Sequence, residues 1–116
     1  MIDNQKLATI LRAFAAERDW DQFHTPKNLA TSISVEAAEL LELFQWSRGQ
    51  SGWDEVADSS VRSKIENELA DILLYLIRFA DKAQIDLQAI AERKISLNAK
   101  KYPADQFRGS DRKYDE

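Results

Sequence analysis

Apolar residues recur three or four positions apart along most of the chain, the pattern of helices that turn one face to a core. Leu7, Ile10, Leu11 and Phe14 form the first stripe and Asp3 stands before it as a cap, which predicts a helix over about residues 4–18. Thr25-Pro26 starts a second. The threonine oxygen can accept from free N–H groups and proline suits the first helical position. Leu29, Ile33, Ala37, Leu40, Leu41 and Phe44 carry its apolar face on toward Gly49, where this helix is expected to end. The segment GQSGWDEVADSS has no periodicity and reads as a surface loop of roughly ten residues, with Trp53 inside it.

From about Ser60 the period resumes with Val61, Ile65, Leu69, Ile72, Leu76 and Phe79, while Leu73, Leu74 and Ile77 widen the apolar surface beyond one stripe. Such a helix is buried on more than one side, either at the centre of its own subunit or against a second copy. Asp86 can cap a fourth helix bearing Leu87, Ile90 and Ile95, and Pro103 ends it just after Tyr102. Four helices with short connections predict an all-α fold, most simply a four-helix bundle. The expected organisation is one helical domain over residues 1–103 and a polar, mobile tail over 104–116.

Composition narrows the picture. A length of 116 residues fits one domain, and with 44% hydrophobic and 31% charged residues it belongs with soluble globular chains. Only 3 Gly and 2 Pro interrupt long runs of good helix formers. The net charge is −4 and the basic residues are scattered, so neither nucleic acid nor an anionic membrane is an expected partner. Cysteine is absent, which excludes disulfides and thiol catalysis. The first residues, MIDNQKLATI, hold no apolar leader, and the longest strongly apolar run is residues 72–77. A cytoplasmic location is the default expectation.

The candidate chemistry lies in two acid pairs, Glu36 with Glu39 on the second predicted helix and Glu68 with Asp71 on the third. Members of an i, i+3 pair stand about one turn apart on one face. Glu36 falls beside Ile33 and Leu40, and Glu68 beside Ile65, Ile72 and Phe79, so both pairs border the arcs that face the core. If these helices pack antiparallel, the four acids converge. A like-charge contact near 4 Å costs about 4 kcal/mol at an effective dielectric of about 20, so convergence calls for a neutralising group. Mg²⁺ meets that need with carboxylates, waters and substrate phosphate as ligands. Acids on solvated faces are common, however, and Glu42 and Glu66 fit that description. The pattern alone leaves both readings open.

At these residues the sequence resembles the MazG-like, all-α nucleotide pyrophosphohydrolases, whose signature is ExxE on one helix and ExxD on the next. The segments LRAFAAERDWDQFHTPKNL, SVEAAELLELFQW, ENELADILLYLIRFAD and KISLNAKKYP resemble the dCTP pyrophosphatase branch across nearly the whole chain before the tail. The resemblance implies a homodimer or dimer of dimers that clears unwanted nucleotides. It implies Mg²⁺, with Mn²⁺ as a substitute, on Glu36, Glu39, Glu68 and Asp71, and attack of water at the α-phosphorus of a deoxynucleoside triphosphate. It also places Trp20 and Trp46 around the base, Tyr75 near the sugar and metal, and Lys94, Asn98 and Tyr102 toward the phosphates or base. In one departure, Leu11 stands where related enzymes can carry a histidine, which leaves base selectivity open.

Plainer roles stand beside these. Trp20 and Trp46 suit core filling, the stripe Lys94, Asn98, Tyr102 suits a solvated face, Trp53 suits a lid or interface, and His24 suits the turn before Thr25-Pro26. A di-iron carboxylate bundle needs Glu-x-x-His pairs, and none is present. A non-catalytic helical adaptor, docking through the broad apolar third helix, is the alternative from another functional class.

Overall fold

The computed structural model describes residues 1–49 and 52–116. Gln50 and Ser51, inside the loop expected after Gly49, lie outside the described residues. Those described are helical, with no strand among them.

The first helix, α1, spans Asn4–Glu17, and Asp3 caps it by accepting the Lys6 N–H at 3.0 Å. The chain reverses through Asp19, whose φ of 54° is left-handed, and makes one 3-10 turn over Asp21–Phe23. Helix α2 then runs Pro26–Glu42, with Thr25 Oγ1 accepting the Asn28 N–H at 3.2 Å and proline in the first turn. It stops well short of Gly49. Tight turns follow, in which Leu43 N–H donates to the Leu40 carbonyl and Phe44 N–H to that of Leu41. The Ser47 hydroxyl then binds Glu55 and accepts from Gly49 N–H. These local bonds take over from the helical ladder before the glycine is reached.

The segment expected to be irregular holds a single helical turn, α3, at Asp54–Ala57. Next comes α4, Ser59–Ala83, with 25 residues. Asp58 caps its start by accepting from Ser60 N–H, and Gln84 ends it in the left-handed conformation at φ 58°. Helix α5 spans Leu87–Lys101 with Asp86 as cap, and the short α6 spans Ala104–Phe107.

By their contacts the helices fall into two compact units, Met1–Gln84 and Ile85–Glu116. In the first, α4 is the hub and packs against α2, α1 and α3. The core is Ala8 and Ala15 of α1, Leu29 of α2, and Ile65, Ile77 and Ala80 of α4. Three alanines among six buried apolar side chains allow close approach of the backbones at those points. Leu69 and Leu76 of α4 and Leu41 of α2 remain exposed. In the second unit Tyr102 meets Phe107 edge-on at 4.9 Å and Tyr114 at 6.0 Å, while Lys101 lies over Tyr114 and Arg112 over Phe107. Part of the segment expected to be tail is therefore drawn into an aromatic cluster. No helix among the described residues is long and apolar enough to cross a membrane.

Ile77 is 2% exposed, so Ile77→Ala should lower stability by about 2–5 kcal/mol through lost transfer energy and a cavity. Thr25→Ala removes only a helix cap and should cost about 1 kcal/mol. Urea denaturation checks the order; equal losses would contradict this placement of the core.

Candidate active site

Three of the four acids converge. Because α2 and α4 pack along one another, one oxygen from each of Glu36, Glu39 and Glu68 lies within 4.8 Å of the others. Ligand oxygens of an octahedral cation at about 2.1 Å stand about 3–4 Å apart, so the donor set fits a hard divalent ion. Glu36 and Glu68 are half-buried, and the Oε2 atom of each is shielded from solvent without a hydrogen-bond partner. Buried carboxylate oxygens left in this way are costly. They need a proton or a cation.

The geometry favours a proton on Glu36. Contact with Glu68 is the largest cause that pushes the Glu36 carboxyl from 4.5 up to about 7, followed by burial, by Glu39, and by the negative charge of Asp71. A proton on Glu36 would let its contact with Glu68 become a hydrogen bond. Asp71 stands outside the tight trio but acts on Glu36 electrostatically and borders the same cavity.

That cavity, about 520 Å³, opens beside the acids within the first unit. Leu7, Leu11 and Phe14 of α1 and Leu74 of α4 form apolar walls, Trp20 and Tyr75 add aromatic surface, and Glu36 and Asp71 reach its edge. Its volume is that of an ordinary small-molecule pocket. Trp20 is held edge-on against Phe14 at 5.7 Å.

Comparison with known proteins fits this geometry. Residues 31–116 match the model of the MazG-like family. The chain belongs to that family. This MazG-like chain is 42% identical to human dCTP pyrophosphatase 1 over 107 residues, and 41% identical to the Bos taurus protein of that name over 101 residues. Those alignments cover 89% and 87% of the chain but 61% and 60% of the relatives, so it spans about three fifths of their length. A crystal structure of a pyrophosphatase from Archaeoglobus fulgidus superposes with a TM-score of 0.79 at 43% identity, covering 85% of this chain and 91% of that one.

The expected site residues separate into groups. Glu36, Glu39 and Glu68 come together, and Asp71, Trp20 and Tyr75 join Glu36 around the cavity. Trp46 does not line it; it sits 89% exposed in the turns after α2. Lys94 and Asn98 lie exposed on α5 in the second unit, where Tyr102 packs on its own aromatic neighbours.

Residues not singled out in the sequence form a charged cluster that reaches the cavity lining through Arg78. Arg78, 5% exposed, donates from Nη2 to Asp21 at 2.8 Å and from Nε to His24 Nδ1 at 3.0 Å. Lys82 also binds Asp21, and Arg12 holds Asp81 through two bonds of 2.7 and 2.9 Å. An arginine inside the run LLYLIRFA was the available signal, since a buried guanidinium requires partners.

The raised Glu36 value sets a pH dependence. The folded state holds a proton up to about pH 7 that the unfolded chain releases near 4.5, so this stabilising contribution is complete below 4.5 and is lost as pH rises through 7. Metal-free protein should unfold at lower denaturant concentration at pH 8 than at pH 5.5, and Glu36→Gln should flatten that difference. An unchanged difference in the variant would remove Glu36 from the explanation.

Proposed function

We propose that the chain is a Mg²⁺-dependent nucleoside triphosphate pyrophosphohydrolase that converts deoxynucleoside triphosphates, dCTP foremost, to the monophosphate and pyrophosphate. The observation that carries the reading is the meeting of Glu36, Glu39 and Glu68, two of them with orphaned buried oxygens, at the edge of an apolar, aromatic-lined cavity that Asp71 also borders. Relatives named dCTP pyrophosphatase 1 support the substrate class.

Glu36, Glu39, Glu68 and Asp71 would hold the cation, with Mn²⁺ as a substitute. When bound, it supplies charge neutralisation, activation of water and stabilisation of the leaving pyrophosphate. The chain's own groups do the rest. Glu36 or Glu39 takes the proton from a water whose oxygen attacks the α-phosphorus, the bond to the bridging oxygen breaks, and pyrophosphate leaves. Trp20, on the cavity wall, stacks on the base, and Tyr75 abuts the sugar. The family resemblance further assigns Trp46 to the base, and Lys94, Asn98 and Tyr102 to the phosphates or base. The same reading includes a four-helix bundle and a homodimer or dimer of dimers, for which the exposed Leu41, Leu69 and Leu76 supply apolar surface. Removal of unwanted nucleotides is its expected role.

Chromatography of a dCTP digest should find dCMP and pyrophosphate in equal amounts, whereas accumulation of dCDP and orthophosphate would overturn the attack site. Glu39→Gln and Asp71→Asn should abolish turnover while retaining the helical circular dichroism spectrum. Near-normal activity of either variant with Mg²⁺ would sink the four-acid site.

A further inference from the structure

Asp71, Tyr75 and Arg78 stand at i, i+4 and i+7 on α4, and all three line the cavity. At 1.5 Å rise per residue the stripe spans about 10 Å, with an acid at one end, an aromatic ring between, and a guanidinium at the other. A nucleotide has its parts in a matching order, phosphates, then sugar, then base. With the metal and phosphates at Asp71 and the sugar against Tyr75, Arg78 is left to face the base.

Ion pairing does not by itself account for a guanidinium here. Asp21 is already held by Lys82, and Asp81 by two bonds from Arg12. Arg78 adds a third cation to these two carboxylates. Its side chain is also the most buried of the three, 6% exposed against 60% for Arg12 and 29% for Lys82. A surplus positive charge out of water is costly unless its remaining N–H groups find acceptors.

One edge of the planar fork is occupied. Nε donates to His24 Nδ1 at 3.0 Å and Nη2 to Asp21 at 2.8 Å. Nη1 lies 4.0 Å from Asp81, beyond hydrogen-bond reach. Among the described residues, the solvent-shielded side-chain atoms without a partner are Glu36 Oε2 and Glu68 Oε2, so Nη1 remains accessible. The other edge is therefore open, with one N–H of Nη1 parallel to one of Nη2, and the bonds on the first edge hold it still. Such an edge suits two adjacent acceptors. Leu11, Phe14 and Leu74 on the cavity wall offer none.

We infer that Arg78 reads the nucleobase, donating from Nη1 and Nη2 to a carbonyl oxygen and the unprotonated ring nitrogen beside it. Cytosine presents that pair at O2 and N3. Uracil carries a proton on N3, which sets an N–H against an N–H and leaves both unpaired in apolar surroundings. Arg78 is then a specificity-determining residue for cytosine over uracil. The inference rests on the nucleotide reading above and deepens it with a physical reason for the base preference.

The wild type should favour dCTP over dUTP in kcat/KM. Arg78→Lys keeps the charge but has no parallel pair of donors, and should lower that preference by about five- to 150-fold, the range for one bidentate contact. Equal losses on both substrates, or a wild type without the preference, overturn the inference. Should the variant lose its helical circular dichroism spectrum, the ligand carries the test instead. The 3-deaza analogue of dCTP, with C–H in place of N3, should be turned over by the wild type at least about fivefold less efficiently, and parity with dCTP overturns the inference. If the wild type hydrolyses none of these compounds, the pyrophosphohydrolase reading fails by itself. Equilibrium dialysis of the metal-free protein against deoxycytidine and deoxyuridine then decides: tighter binding of deoxycytidine supports base reading, and equal binding overturns it.

Discussion

Two helices that each turn a pair of carboxylates toward the other cannot pack without a positive charge or a proton between them. Much else in the first unit is arranged around this constraint. The burial of Leu29, Ile65 and Ile77 draws α2 and α4 together, and that packing forces Glu36, Glu39 and Glu68 into one small volume. Apolar burial is worth about 25 cal/mol per Å², so the core can sustain a repulsive site that no local interaction would favour. The repulsion appears as two orphaned oxygens and a carboxyl that keeps its proton to about pH 7. A ligand that binds only the folded state and relieves this repulsion would return it as stability.

A second charged cluster, of mixed sign, joins the cavity lining through Arg78. Arg78 is buried among Asp21, His24 and Asp81, and so ties the turn between α1 and α2 to α4. Arg12 ties α1 to the same helix through Asp81. Both connections run to α4, the hub of the packing, so directional bonds tie α1 and the turn after it to the helix that carries Glu68 and Asp71.

Much of this was legible in the sequence. The caps Asp3, Thr25 and Asp86 carry their own chemistry and marked helix starts correctly, and the i, i+3 acid spacing put each pair on one face whatever the tertiary fold. The early end of α2 was not legible, because LFQWSR contains no breaker and the tight turns depend on Ser47 reaching Glu55, eight residues on. The four residues of α3 are too few to show a period. The Arg78–His24 bond joins residues 54 apart, a pairing that only packing reveals. Trp20 and Trp46 are equivalent as residue types, yet one lines the cavity and the other stands in solvent. A tryptophan's role depends on the surface it meets, which spacing along the chain does not encode.

The central claim is that the α2–α4 acids are held together against their own repulsion and relieved by a divalent cation. Thermal unfolding of the wild type and Glu68→Gln, each with and without Mg²⁺, tests it most directly. At a hundred times Kd the cation should add about 2.7 kcal/mol to the wild type. The variant, with one charge of the cluster removed, should match or exceed the wild type in metal-free buffer and respond little to Mg²⁺. A wild type indifferent to Mg²⁺, or a metal-free variant much less stable than the wild type, would contradict the account.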